Sequence, residues 1–295
     1  MSTQLLIFLL LVLSVFSTQG AQLYPPKINS DSVHTYKSVD GHDLRIWVFN
    51  PTIISKTNAS APALLFFFGG GWHGGSPAQF VKYCERLSER GMVGIVADYR
   101  VKSRQGVQAK TCVEDALDAL RYVTTNANRL GIDAEKIGVG GGSAGGHLAA
   151  CLGTIHVDDP AAPKVMALFN PATVLAPIPS NLLDPALGEL EKMNARYQAK
   201  EEQLRNRLGL EPVELSPFHH VSNNSPSTII FHGTNDKTVP YDSAILFASH
   251  LRKKGVCVNF KTYEEAGHGF FNREPYFSQT VKELDAFLLN LGWLE

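Results

Sequence analysis

Ser143 lies in the run Gly138-Val139-Gly140-Gly141-Gly142-Ser143-Ala144-Gly145-Gly146-His147, where Gly141-x-Ser143-x-Gly145 follows a short apolar stretch and precedes an Ala/Leu-rich helical pattern. Strand, sharp turn and helix in that order are what a nucleophile elbow requires. The turn strains the serine backbone, so the residues two positions to either side must be Gly or very small. The hydroxyl is pushed out above the sheet, and the N–H groups that open the helix face any negative charge forming beside it. A Gly-rich loop reaches this pattern by chance. The chemistry depends on whether the chain also supplies a base, an acid and an oxyanion loop.

A serine hydroxyl needs a base to take its proton near neutral pH. Of ten histidines, most have structural explanations: His34 and His42 fall on early strands, His219-His220 in a loop, and His147 one helical turn after Ser143. His268 differs. It sits in Glu265-Ala266-Gly267-His268-Gly269-Phe270, after an expected strand and before the last helix, with glycines on both sides. The base needs an acid to fix its tautomer and stabilise the imidazolium. Asp236, in Phe231-His232-Gly233-Thr234-Asn235-Asp236-Lys237-Thr238-Val239-Pro240, follows a buried strand through a Gly turn. The chain order Ser143, Asp236, His268 is that of the α/β-hydrolases.

The fourth part is Phe68-Gly69-Gly70-Gly71-Trp72-His73-Gly74-Gly75. Backbone N–H groups from this loop, with that of Ala144, can donate to the oxyanion of a tetrahedral intermediate. A phosphate loop would continue into Gly-Lys-Ser/Thr, which is missing, and a dinucleotide loop lacks its acidic residue after the next strand. No metal spacing is present, and the chemistry expected here needs neither metal nor organic cofactor.

The chain resembles the α/β-hydrolase superfamily, specifically the hormone-sensitive-lipase-like esterases and the related bacterial feruloyl/acetyl xylan esterase-like group. The resemblance covers roughly residues 35–292. It rests on Phe68-Gly-Gly-Gly-Trp72, Ala97-Asp98-Tyr99-Arg100, Gly141-Gly-Ser143-Ala-Gly145-Gly146, Ser216-Pro217-Phe218-His219-His220-Val221, His232-Gly-Thr-Asn-Asp236-x-x-Val-Pro240 and Gly267-His268-Gly269-Phe270. It implies Ser143 as nucleophile, His268 as general base and then acid, Asp236 as its orienting partner, and Gly70, Gly71 and Ala144 as oxyanion donors. One departure stands out: these families usually begin the glycine loop with a His that braces it, and this chain has Phe68. His73 or packing of Phe68 itself could take over that bracing. Read as His-Gly-Gly-x-Trp, again with Phe for His, the loop also resembles that of kynurenine formamidases, where the first glycines would donate.

The elements that must position these groups alternate along the chain. Val33–Val39 and Leu44–Phe49 read as a hairpin turning at Asp40-Gly41. Ala63–Phe68, Met92–Ala97, Lys136–Gly140, Val165–Phe169, Thr228–His232 and Cys257–Tyr263 read as buried strands. Helical patterns run over Pro77–Arg90, Thr111–Leu130, Ala144–Gly153, Tyr241–Lys254 and Tyr276–Leu291. Such alternation predicts an α/β-hydrolase fold, a mostly parallel sheet with helices on both faces. The break is at about 171–214, Pro-rich and then charged over Glu189–Leu208. We read it as a small helical cap over the site.

The chain has 295 residues, 44% hydrophobic and 19% charged, with a net charge of −1, which gives no footing for nucleic acid or an anionic membrane surface. Leu5–Val15 is apolar except for Ser14, too short to span a bilayer as a helix, and is followed by Ser17-Thr18-Gln19-Gly20-Ala21. This matches a signal peptide, residues 1–21, cleaved near Gly20 or Ala21, although no Lys or Arg precedes it. The mature domain would be 22–295, secreted or periplasmic, without a membrane span. Cys84, Cys151 and Cys257 fall in apolar stretches and are read, with Cys112, as buried free thiols.

Together these readings predict an exported serine esterase acting on short acyl, chiefly acetyl, esters of small molecules or oligosaccharides. An amidase-type hydrolase, formamidase-like or a peptidase, is an alternative; export and the lack of an N-terminal propeller weigh against it. A non-catalytic hydrolase-fold binding protein is another, but such proteins typically lose a triad member and all three stand here.

Overall fold

The computed structural model describes residues 24–53, 60–180 and 190–294. The expected leader (1–21) and the start of the charged helical pattern at Glu189 lie outside the described residues.

Chain order runs β1 (Ser32–Val39), β2 (His42–Phe49), β3 (Ala61–Phe67), α1 (Val81–Glu89), β4 (Val93–Ala97), α2 (Lys102–Gln105), α3 (Ala109–Thr125), β5 (Ile132–Gly142) and α4 (Ala144–Leu152). It continues with β6 (Val165–Phe169), α5 (Leu190–Gln198), α6 (Glu201–Leu208), β7 (Ser227–Gly233), α7 (Tyr241–Lys253), β8 (Val258–Tyr263) and α8 (Tyr276–Asn290). One sheet has the order β1-β2-β4-β3-β5-β6-β7-β8. Strand β2 is antiparallel to both its neighbours, and the other pairings are parallel. The first hairpin turns where the sequence signals it, with Asp40 and Gly41 at φ 52° and 74°, as a two-residue turn between twisted strands demands.

Alternate strand residues feed two cores, because strand side chains point to opposite faces. Leu65 and Phe67 of β3 join the cluster under α3, α4 and α7, with Leu120, Leu148 and Leu251. Leu64 and Phe66 join the cluster under α1 and α8, with Tyr83, Leu87 and Phe287. Each fully buried Phe or Leu contributes about 1.5–3 kcal/mol. This two-sided burial makes β3 apolar at every position from Ala63 to Phe67.

Several boundaries differ from expectation. The helix expected to reach Leu130 ends at Thr125, where Asn126 turns its carboxamide back onto the Tyr122 carbonyl at 2.8 Å. Strand β5 begins at Ile132, which pairs with Ala61; the polar, largely exposed Asp133–Lys136 hides that start from a hydrophobicity reading. The charged pattern is two helices, not one, because the Lys200 amide bonds to Tyr197 three residues back and leaves the helical path. Cys257 is exposed, since it precedes β8 instead of lying within it, while Cys84, Cys112 and Cys151 are buried free thiols. Burial pushes the Cys112 thiol up to about 12.

Candidate active site

Ser143 joins β5 to α4 with φ 54° and ψ −117°, a conformation that L residues rarely adopt. Its amide donates to the Phe169 carbonyl at 2.9 Å, and its carbonyl accepts the His147 amide at 2.9 Å. The flanking glycines are needed for a different reason from the one expected. A Cβ on Gly145 would meet the Phe67 carbonyl oxygen at 2.0 Å, and one on Gly141 would meet the Gly145 carbonyl oxygen at 2.5 Å. The collisions are with β3 and between the two glycines, not with the serine. Close packing of α4 on the strand edge lifts Ser143 into the open.

The structure brings Ser143, His268 and Asp236 together. The Ser143 hydroxyl lies 2.9 Å from His268 Nε2, and His268 Nδ1 lies 2.7 Å from Asp236 Oδ2. All three follow C-terminal strand ends, of β5, β7 and β8, where ligands bind in open α/β sheets. Asp236 is buried and its other oxygen accepts the amides of Thr238 and Val239 at 2.8 and 2.9 Å. Burial alone would raise its pKa, but hydrogen bonds from His232, His268 and the Val239 amide prevail and hold the carboxyl well below the usual range. The His268 loop is pinned by Asn170, whose Oδ1 accepts the Gly269 amide at 3.0 Å.

The glycine loop leaves β3 through Gly70, Gly71 and Trp72, at φ 132°, 62° and 57°. Phe68 itself packs: its ring stacks on Tyr99 at 4.0 Å, and the Tyr99 hydroxyl donates to the Phe68 carbonyl at 2.6 Å. Gln79 Oε1 accepts the Gly69 amide at 2.6 Å. Among the described residues, His73 braces only through its backbone, its amide on the Gly70 carbonyl and its own carbonyl accepting from Ser103. Ala144 opens α4 directly after Ser143.

A cavity of about 240 Å³ joins Ser143, Gly71 and Ala144 to Leu175, Tyr197 and Arg207. Helices α5 and α6 contribute Arg196, Tyr197, Leu204 and Arg207 to its lining. Trp72 lines it too, its indole N–H donating to buried His147 Nδ1 at 3.2 Å. Phe270 does not line it: Gly269, at φ 75°, turns the chain inward and Phe270 packs on Tyr263 at 4.7 Å. Among the described residues, no group of three His, Cys, Asp or Glu converges as a metal site would require, and no helix is long and apolar enough to cross a membrane. Gln79, Asn170 and Arg207 escaped the sequence reading because each acts through a contact between distant elements.

This fold and its esterase relatives define the class as α/β-hydrolase carboxylic ester hydrolases. Esterase 2 of the planctomycete Thermogutta terrifontis superposes with a TM-score of 0.81 at 40% identity, covering 93% of this chain and 97% of that one. Ethyl acetate hydrolase of Pseudomonas putida is 29% identical over 237 residues, 78% of this chain and 72% of the hydrolase. Esterase LipC of Mycobacterium tuberculosis is 28% identical over 226 residues, and the match spans 53% of its length. The chain belongs to the BD-FAE family, whose model matches residues 52–251.

Proposed function

We propose that the chain is an exported serine carboxylesterase that cleaves short-chain, chiefly acetyl, esters of small molecules or carbohydrates through an acyl-enzyme. Ser143 Oγ bonds to the ester carbonyl carbon as His268 Nε2 takes its proton. The carbonyl oxygen becomes an oxyanion facing the amides of Gly70, Gly71 and Ala144. Each such donor contributes about 3–4 kcal/mol in the transition state. The bond from carbon to the alcohol oxygen then breaks, and His268 hands its proton to that oxygen. Water repeats the sequence: His268 takes a water proton, the water oxygen bonds to the acyl carbon, and Ser143 leaves with the proton. Asp236 keeps His268 in the tautomer with Nδ1–H and stabilises the imidazolium.

The observation that carries this reading is the hydrogen-bonded line Asp236–His268–Ser143 opening into a small cavity. About 240 Å³ suits a short acyl group. Support also comes from the Thermogutta esterase, recorded with propionate and with butyrate, and from the Pseudomonas relative's ethyl acetate. The likeness to feruloyl/acetyl xylan esterases supports a carbohydrate alcohol, and the apolar run Leu5–Val15 supports export.

The test is hydrolysis of p-nitrophenyl acetate by the wild type and by Ser143→Ala. Activity should be lost in the variant and, in the wild type, should fall as the acyl chain lengthens. Equal rates for both proteins would overturn the reading. Acetylated xylo-oligosaccharides, feruloyl esters and N-formylkynurenine then rank the substrate classes, and a preference for the last would transfer the assignment to an amidase.

A further inference from the structure

Cap helices do more than cover the cavity: they charge it. Arg196, Lys200 and Arg207 reach the space beside Ser143, and among the described residues no Asp or Glu lines it. A second hollow of about 370 Å³ continues across Gly71, Trp72, Gln203 and Arg207, adding His73 and Lys102 and again no carboxylate. Arg207 stands at the junction of the two. Its Nη2 donates to the Gly71 carbonyl at 2.7 Å, and its guanidinium lies 5.0 Å from the centre of the Trp72 ring.

The sorting of charge on α6 is selective. Arg205 faces outward and is held by Glu201 at 2.9 Å and Glu211 at 2.7 Å. Arg207 has no carboxylate within ion-pair distance among the described residues, and burial lowers its pKa. A guanidinium has five donors, and a single hydrogen bond to Gly71 leaves most of them available. A cation of this kind, lining the cavity with a planar donor fork and no carboxylate partner, is matched by a carboxylate.

We propose that the substrate carries a carboxylate in addition to its ester, and that Arg207, flanked by Arg196 and Lys200, binds it and so determines specificity. The proposal rests on the serine esterase reading above. It concerns the chemistry of the substrate, and the carboxylate can belong to the alcohol or to the acyl half.

Two isosteric pairs distinguish those sources. For the alcohol side, 4-acetoxybenzoate is compared with 4-acetoxybenzamide; for the acyl side, monoethyl succinate with ethyl succinamate. Each ratio of kcat/KM is divided by the same ratio for hydroxide-catalysed hydrolysis. We expect the anionic member of one pair to be favoured on the order of tenfold or more. High salt should lower its rate and leave its neutral partner unchanged. Arg207→Gln should bring the ratio towards one. A ratio of one or below in both pairs overturns the proposal, as does an Arg207→Gln effect equal on both members, which would leave Arg207 as a loop brace only. p-Nitrophenyl acetate separates the two levels. If the wild type cleaves it while both ratios are one, only the anion site falls; if no ester is cleaved, the esterase reading falls and takes this proposal with it.

Discussion

Gln79 and Gly69 are joined by a 2.6 Å hydrogen bond from the glycine amide to the carboxamide oxygen. This contact supplies from a 3-10 turn, Pro77–Phe80, the bracing that related loops take from a leading His. Phe68, freed of that task, stacks on Tyr99 and extends the core under the loop. The loop is thus held from beneath by Gln79 and Tyr99, and from α6 by Arg207.

Replacing Gln79 with Met keeps the bulk and removes the acceptor. The Gly69 amide would then be left partly buried and unpaired, at a cost of about 1 kcal/mol. We expect kcat to fall more than KM changes, because the loop acts on the transition state more than on the bound ester. Steady-state kinetics with p-nitrophenyl acetate and thermal unfolding check this. Unchanged kcat and unchanged Tm would remove Gln79 from the loop's support.

His268→Ala and Asp236→Asn should each lower kcat by roughly 10³–10⁴-fold, as in other enzymes of this chemistry. Both sites lie at a loop at the rim of the sheet, so the variants should keep native circular dichroism. For Asp236 the sign of the acid effect follows from its depressed pKa: the stability it contributes is fully present above the unfolded carboxyl range and is lost as pH falls. Full activity in either variant would refute its role.

The triad was legible in the sequence because each member sits in a short local signature at the end of an apolar strand. Fold class was legible for a related reason, since two-sided burial leaves uninterrupted runs such as Ala63–Phe68. The supporting residues were not. Asn170 reads as the first residue after β6, and only packing shows that its side chain reaches the Gly269 amide. Arg207 reads as one more charge on a solvated helix, indistinguishable by spacing from Arg205, which pairs with Glu201 and Glu211 where Arg207 meets the Gly71 carbonyl. Cys257 misled because an apolar neighbourhood in sequence does not say where the strand begins.

Gly145 offers a test of why the elbow needs glycine. An added Cβ would stand 2.0 Å from the Phe67 carbonyl oxygen, so either β3 or α4 must move. We expect Gly145→Ala to cost at least about 3 kcal/mol or to prevent folding. Gly255 is the control: it has φ +80° but nothing within 4 Å of an added Cβ. Gly255→Ala should cost only about 1 kcal/mol, from the left-handed backbone alone. Urea unfolding distinguishes the two. Similar losses at both positions would mean that the approach to β3 does not set the requirement at Gly145.

His147 and Asp98 should give the protein opposing responses to acid. His147 is fully buried with both ring nitrogens committed, Nδ1 accepting from the Trp72 indole at 3.2 Å and Nε2 donating to the Leu215 carbonyl at 2.7 Å. Burial therefore lowers its pKa from 6.5 to about 4. Between those values the unfolded chain holds the proton and the folded one does not, so stability rises with pH by about 3 kcal/mol. Asp98 is raised from 3.8 to about 6 by burial, against hydrogen bonds from Tyr24 and the Tyr99 amide and the charge of Arg104. There the folded chain holds the extra proton, and stability falls with pH by a similar amount, about 3 kcal/mol. In the wild type the two slopes largely cancel. Relative to it, His147→Gln should be more favourable at pH 4 than at pH 6.5, and Asp98→Asn the reverse. Urea unfolding at the two pH values measures both differences. If the two variants shift in the same direction, the burial of these groups does not govern their protonation.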